Sequence, residues 1–426
     1  MKRAATYNKK ISILGMGYVG LPMAIKFAEV GHEVIGYDPN KAKVKQLSKG
    51  KSFISHIHDN KIKDLKRQNF KASSNTSSLK ASDVFIICVP TPLDAFKQPD
   101  MSFIADAVET IKPMLQKGQL VCLVSTTYPG TTEEFIIEAI KEKDLIPGKD
   151  VFVIYSPERE DPGNKFFDFT STPRVIGGYS KECLQAGKEL FSQVVNTLIQ
   201  VSSLKTAEMV KLLENIYRSV NIGLVNEIKK ITDKMDIDIF EVIDAAASKP
   251  FGYTPFYPGP GLGGHCIPID PYYLSYKSKE LDLNNHFIEL AGEINTEMPY
   301  WVVGKVIEIL NQLKKSVNKS KILILGIAYK KDINDLRESP SLKIIKELMK
   351  LGATISYSDS YIPKLKIGDK NFNSRKLTPS TLLKQDLVLI ITDHTYFDFN
   401  FIKKHSKVII DTRGVYKKLS KGIFRA

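Results

Sequence analysis

Through the first half of the chain, short apolar runs alternate with amphipathic stretches. ISILGMG (11–17), EVIGYD (33–38), DVFIICVP (83–90), LVCLVSTT (120–127), VFVIYSPE (151–158) and RVIGG (174–178) are each nearly continuous in apolar residues. Strands buried on both faces read this way, so the runs predict a parallel sheet covered by helices on both sides. Near residue 203 the period changes. LKTAEMVKLLENIYRSVNIGLVNEIKKITDKM places apolar residues at helical spacing to residue 235, with no proline and only Gly223 as an interior break. One long helix is expected there, and the chain to about 314 reads as mostly helical apart from a loop at 250–271. Strand–helix alternation returns with KILILGIAYK (321–330), TISYSDS (354–360), DLVLIITD (386–393) and KVIIDTR (407–413). Because KILILG echoes ISILG, three domains are expected: 1–202, a helical middle at 203–314, and a related α/β domain at 315–426.

GMGYVG (15–20) falls where the first strand should turn into the first helix. Gly15 permits a tight turn, Gly17 lets a pyrophosphate approach the backbone, and Gly20 allows close helix–strand packing; Tyr18 and Val19 lie between them. The phosphates would meet the free N–H groups at the helix start. Asp38 ends the next strand, placed to hold both ribose hydroxyls and to repel a 2′-phosphate, so NAD is expected rather than NADP. The fold class expected is therefore α/β: two Rossmann-like, doubly wound parallel-sheet domains joined by a long helix and a helical central domain. The second such domain lacks the later glycines and should bind something other than a dinucleotide.

PGPGLGGHCIPIDP (258–271) interrupts the helical middle with four prolines and four glycines around one cysteine. Glycines allow close backbone approach and prolines restrict the alternatives. A buried structural cysteine needs neither, so Cys266 reads as a nucleophile with Asp270 as its charge partner or water-holder. The other cysteines, Cys88, Cys122 and Cys183, are scattered, and no CxxC pair suggests a metal. Cys88 and Cys122 lie in apolar strand-like runs, and a reducing compartment follows.

Charge adds one alternative. The net charge of +14 comes from 61 Lys and Arg against 47 Asp and Glu. Nucleic-acid binding would use such an excess, but the lysines form no dense arm with interleaved aromatics. A solvated lysine-rich surface is the simpler reading, and a polyanionic small substrate would gain from the field. The basic N-terminus followed by ISILGMGYVGLPMAI superficially resembles a signal peptide; it ends at Lys26, short of the roughly 20 residues a membrane span needs. A cytoplasmic protein is expected, with neither nucleic acid nor membrane as partner.

GMGYVG, VPTP (89–92), STTYPG (125–130), SPER (156–159), KLLEN (211–215), GPGLGGHCIPID (259–270) and GIAYKKDINDLRESP (326–340), in that order, resemble the NAD-dependent nucleotide-sugar 6-dehydrogenases. These form the UDP-glucose/GDP-mannose dehydrogenase family, and the resemblance covers essentially the whole chain. It implies that the first domain binds NAD, that the long helix builds a homodimer, and that the third domain helps hold the UDP of the sugar. Cys266 is then the nucleophile, with Lys211 and Asn215 as oxyanion and substrate partners. Asp270 and Thr127 hold the catalytic water, and Glu158 serves base catalysis at hydrolysis. Lys43, Thr91, Thr127 and Arg337 become cofactor contacts, and Gly263 and Lys330 substrate contacts. Periodicity alone does not single out Lys211, since a lysine on an amphipathic helix is usually a solvated surface residue.

Enzymes of this family acting on UDP-glucose commonly have a second glutamate four residues after the first, where this chain has Pro162. SPEREDPGN and KPFGYTPFYPGPGLGGHCIPIDPYYL instead resemble the branch acting on N-acetylated sugars, UDP-N-acetylglucosamine 6-dehydrogenases more than the mannosamine enzymes. The role of the second glutamate is left to Glu160 or Asp161. UDP-GlcNAc is the first expected substrate, followed by UDP-ManNAc and then UDP-glucose, with the product feeding surface polysaccharide synthesis. Oxidising C6 to a carboxylate removes four electrons, which suits a cysteine that holds the aldehyde covalently. Two other readings remain: a two-electron hydroxy-acid dehydrogenase, which would not need the cysteine loop, and a non-catalytic nucleotide-binding scaffold, which would not need Lys211, Asn215, Cys266 and Asp270 together.

Overall fold

The computed structural model describes residues 8–54, 57–67, 69–94, 96–160, 167–265 and 267–426. It divides into two compact units: Met1–Glu214 with Tyr272–Leu283, and Asn215–Pro271 with Asn284–Ala426.

The first unit is built on eight strands: β1 (Lys10–Leu14), β2 (Glu33–Tyr37), β3 (Phe70–Ser73), β4 (Val84–Ile87), β5 (Leu120–Leu123), β6 (Phe152–Tyr155), β7 (Arg174–Gly178) and β8 (Leu198–Val201). Their order in the sheet is β3-β2-β1-β4-β5-β6-β7-β8. All neighbours are parallel except β6 and β7, which run antiparallel. A parallel pair needs a crossover, usually a helix, and no helix is described between β6 and β7. The six apolar runs read as strands all lie in this sheet. β4 and β5 are buried at every position, because helices cover both faces. Ile11, Ile13, Val84 and Ile86 pack on one side with Met23 and Phe27, while Leu14, Phe85 and Ile87 pack on the other with Ile104 and Val108.

The second unit carries a parallel five-stranded sheet, from β9 (Lys321–Leu325), β10 (Thr354–Ser358), β13 (Leu387–Ile390), β14 (Ile409–Asp411) and β15 (Ile423–Arg425), in the order β10-β9-β13-β14-β15. β11 (Lys364–Ile367) and β12 (Lys370–Asn373) form a separate antiparallel hairpin. Helix His286–Gln312 contributes Val302, Val306, Ile309 and Leu310 to the same core as Ile322, Ile324 and Ile344. The helical middle is thus shared out. Leu204 and Ala207 join the core of the first sheet, whereas Val225, Ile239, Phe240 and Ile243 keep a small cluster of their own.

The echo between the two sheets extends to hydrogen bonds. Gly15 (φ +95°) donates its N–H to Tyr37 at 2.8 Å, and Gly326 (φ +73°) donates to Ser358 at 3.0 Å. Met16 N–H then reaches Asp38 at 3.1 Å, and Ile327 N–H reaches Asp359 at 2.8 Å. The aspartates differ in what else they bind. Asp359 also accepts from Ala328, Tyr361 and Ile362 N–H groups and faces His394 Nε2 at 3.1 Å, so its oxygens are spent inside the fold.

Candidate active site

In the first unit the strand order reverses at β1, between β2 and β4, where doubly wound sheets bind ligands beyond the carboxyl ends of the strands. A Cβ on Gly15 would lie 2.5 Å from the Cys88 carbonyl oxygen at the end of β4. The glycine turn therefore abuts the segment leading to Thr91, which is buried. A Cβ on Gly20 would lie 2.0 Å from the Gly15 carbonyl oxygen, which explains the third glycine by close packing. Gly17 faces open space, with no atom within 4 Å of a would-be Cβ. Helix Gly20–Glu29 starts at Val19 without a side-chain cap, so its first N–H groups lack that partner, and Tyr18 and Val19 pack against the sheet core. Asp38 is held at the end of β2 by Met16 N–H, Asn40 N–H (2.9 Å) and Lys43 Nζ (3.1 Å). An open second glycine, an uncapped helix start and an acidic strand end together fit NAD.

Adjacent parallel strands β4, β5 and β6 deliver Thr91, Thr127 and Glu158 to one edge of the sheet. Thr127 is fully buried, and its Oγ1 has no hydrogen-bond partner among the described residues. The same holds for Glu158 Oε2 and Glu160 Oε1. Unpaired buried polar atoms are uncommon, and three along one edge mark a place where water or ligand completes the bonding. Glu158 Oε1 accepts from the N–H groups of Arg159 (2.6 Å) and Glu160. Burial, then repulsion from Glu158, pushes the Glu160 carboxyl up to about 8. Asp161 and Pro162 lie outside the described residues.

The long helix, Leu204–Lys234, begins in the first unit and continues in the second. Lys211 is only 8% exposed and Asn215 2%, so neither is the solvated polar residue that helical periodicity suggests. One turn before Lys211, Glu208 is fully buried and its carboxylate receives Gly130 N–H (2.6 Å), Thr132 N–H (2.9 Å) and Thr132 Oγ1 (2.6 Å). Burial raises its pKa, opposed by those hydrogen bonds.

The second unit holds Asn215, Asp270, Gly263, Lys330 and Arg337; Cys266 lies outside the described residues. Asn215 Nδ2 donates to Asp270 Oδ2 at 2.5 Å, both residues buried, at the start of helix Asp270–Lys279. The glycines before Cys266 meet protein. A Cβ would lie 2.7 Å from Arg413 at Gly259, 3.1 Å from Pro340 at Gly261, and 2.6 Å and 2.8 Å from Tyr329 at Gly263 and Gly264. Close approach does explain these glycines, but the approaching groups are side chains of this chain. Gly264 N–H also bonds the Arg337 carbonyl oxygen at 2.9 Å, while the Arg337 guanidinium is paired with Asp335 at 2.7 Å. His265 is pushed down by burial and then by Arg337. Arg337 thus sits in the second unit, whereas the other expected cofactor contacts all belong to the first.

Three domain models of one family match in order: the NAD binding domain at 9–195, the central domain at 205–297 and the UDP binding domain at 323–418. The chain belongs to the UDP-glucose/GDP-mannose dehydrogenase family. It is an NAD-dependent nucleotide-sugar dehydrogenase of that family, and its last domain is the family's UDP-binding one. It is 36% identical over 434 residues to the UDP-N-acetyl-D-mannosamine dehydrogenase of Methanocaldococcus jannaschii, across 96% of this chain and 93% of that one. It is 33% identical to the UDP-N-acetyl-D-glucosamine 6-dehydrogenase of Pseudomonas aeruginosa, across 83% of each. The solved structure of the UDP-D-ManNAc dehydrogenase of Pyrococcus horikoshii matches with a TM-score of 0.88 at 32% identity, covering 98% of each chain.

Two residues of this dehydrogenase that pack on the cysteine loop are singled out by neither motif nor period. Arg413 packs over Gly259 just after β14, and the rule that ligands and site residues gather at the carboxyl ends of parallel strands would have flagged it. Tyr329 lies inside GIAYKKDINDLRESP, and nothing in its local sequence announces that it packs against Gly263 and Gly264. No helix among the described residues is long and apolar enough to cross a membrane.

Proposed function

We propose that this enzyme oxidises the C6 primary alcohol of a UDP-N-acetylhexosamine to the carboxylate in two successive oxidations, through a covalent intermediate on Cys266. The observation that carries the reading is the buried Asn215–Asp270 pair, which places an amide donor and a carboxylate together four residues after the cysteine. The glucosamine substrate suggested by SPEREDPGN has one named relative in its favour. Relatives named for the mannosamine epimer match a larger share of the chain, and one of them matches as a solved structure, so UDP-ManNAc is better supported.

NAD would be held by Gly15, Gly17, Tyr18, Val19, Gly20, Asp38, Lys43, Thr91, Thr127 and Arg337, and would supply the hydride acceptor for each oxidation. First the C6 hydroxyl gives its proton to solvent water while the C6 carbon gives up a hydride, leaving an aldehyde. The Cys266 thiolate adds to that carbon, forming a C–S bond and an alkoxide. Lys211 balances the negative charge and Asn215 donates a hydrogen bond to it; removing one such donor typically costs about 10²–10³ in rate. Loss of the C6 hydrogen as hydride turns the thiohemiacetal into a thioester. Water held by Asp270 and Thr127 then adds, with Glu158 taking its proton, and the C–S bond breaks with its electrons returning to sulfur. Gly263 and Lys330 contact the substrate. The long helix joins two copies as a homodimer.

NADH release with UDP-ManNAc, UDP-GlcNAc and UDP-glucose, scored per sugar consumed, tests the reading. Two NADH per UDP-N-acetylhexosamine is the expected result. Cys266→Ser should abolish acid formation, and a variant that still makes uronic acid at the wild-type rate would remove the thioester route. One NADH per substrate would replace the reading with a two-electron dehydrogenase.

A further inference from the structure

Glu208 takes no part in the chemistry above, yet it is a fully buried carboxylate one helical turn from Lys211. Its three donors come from Gly130, the last residue of the STTYPG segment, and from Thr132 just beyond it. Thr132 opens a helical segment, so Glu208 satisfies N–H groups that no residue of that helix can reach. A local residue would ordinarily do this. Thr131 stands at the cap position but makes no capping hydrogen bond, and its hydroxyl turns back to the Tyr128 carbonyl oxygen at 2.8 Å. The local cap thus holds the loop, and the capping role passes to a carboxylate 76 residues away in sequence.

The other end of the same loop is fixed independently. Ser125 Oγ donates to the Val89 carbonyl oxygen at 2.8 Å, and Tyr155 Oη donates to the Ser125 carbonyl oxygen at 3.1 Å. Between the two anchors lies Thr127, buried, its hydroxyl without a partner among the described residues. Leaving a buried hydroxyl unsatisfied is destabilising, a cost tolerable where a rigid frame holds it for a water. We infer that Glu208 is a positioning residue for thioester hydrolysis, clamping the Thr127 loop to the helix that carries Lys211.

The inference rests on the thioester reading, so the test separates the oxidations from the hydrolysis. Glu208→Gln keeps the shape but presents one acceptor and one NH₂, so at least one of the three donors loses its partner. Rapid-mixing measurements should show a pre-steady-state burst of NADH at the wild-type rate. Steady-state turnover should then fall by about 10²-fold, the scale of a misplacement of roughly 1 Å. KM for NAD should stay unchanged, and intact-mass spectrometry should find the enzyme carrying the uronyl adduct. A merely structural role predicts a lower melting temperature with both phases slowed together and no adduct; that result, or wild-type turnover, overturns the inference. Should Glu208→Gln not fold, Thr132→Val removes the hydroxyl donor alone, and the same burst and adduct are expected at smaller amplitude. Wild-type behaviour in that variant overturns it equally. If the unaltered enzyme gives no NADH with any UDP-sugar, the failure lies with the proposed function and takes this inference with it.

Discussion

Asp38 and Glu160 show how much a single carboxylate depends on what surrounds it. Asp38 shares its oxygens with two backbone N–H groups and Lys43 at the end of β2. In Asp38→Ala the ribose hydroxyls lose a charged acceptor, a loss of about 1.5–3 kcal/mol that should raise KM for NAD by roughly 10- to 100-fold. The same change frees Lys43 from its ion pair, so NADP should become a measurable cofactor; comparing NAD and NADP turnover checks both halves. Glu160 is held protonated by burial and by Glu158, its pKa up at about 8. An unfolded glutamate ionises near 4.3. Between these values the folded chain binds the extra proton, so stability falls as pH rises and levels off above about 8. Glu160→Gln should flatten that slope in urea midpoints taken from pH 5 to 8. If Glu160 also fills the role left open beside Glu158, the variant will shift the pH profile of kcat as well. Residue types and spacing made Asp38 legible, but no pattern separates a buried helix lysine such as Lys211 from a solvated one, and its assignment needed the resemblance of the whole chain.

At the level of elements, the apolar runs located ten strands; RVIGG matched β7 at both ends, but the other nine placed their ends too late. DVFIICVP and LVCLVSTT read as strands to residues 90 and 127, whereas β4 and β5 stop at Ile87 and Leu123. The excess residues are the turns that carry Thr91 and Thr127, buried and therefore apolar in company although no longer paired. β3, β8, β11, β12 and β15 went unread because they are short and several are partly exposed, so burial imposed little pattern on them. The cysteine loop makes the same point with glycines. Gly264 has φ +86°, and a Cβ there would lie 2.8 Å from the Tyr329 ring. Backbone strain at such a position costs about 1–3 kcal/mol, and the ring contact adds to it. Gly264→Ala should lower the urea midpoint and reduce turnover. Adding Tyr329→Ala should restore part of the stability by removing the clash and leave the part due to φ. Strictly additive effects in that cycle would show that Tyr329 does not hold the loop.

The whole molecule raises the question of what covers the long helix. Leu213, Tyr217, Leu224 and Ile231 are each at least half exposed, and their spacings of four, seven and seven residues line them up on one helical face. An apolar stripe of that length on an otherwise lysine-rich protein carries a solvation cost unless another surface meets it. A second copy offers the same stripe, and a two-fold contact needs only one self-complementary patch, so the stripe supports the proposed homodimer. Light scattering behind size exclusion should give twice the chain mass of 47.8 kDa. Leu224→Glu with Ile231→Glu places like charges opposite one another across the axis, and the double variant should elute as a monomer while circular dichroism stays native. The first unit carries the glycine motif without help from this face, so NAD binding measured by titration should survive in the monomer. Loss of both folding and NAD binding would mean that the stripe stabilises the protomer itself, and a monomeric unaltered protein would remove the dimer from the account.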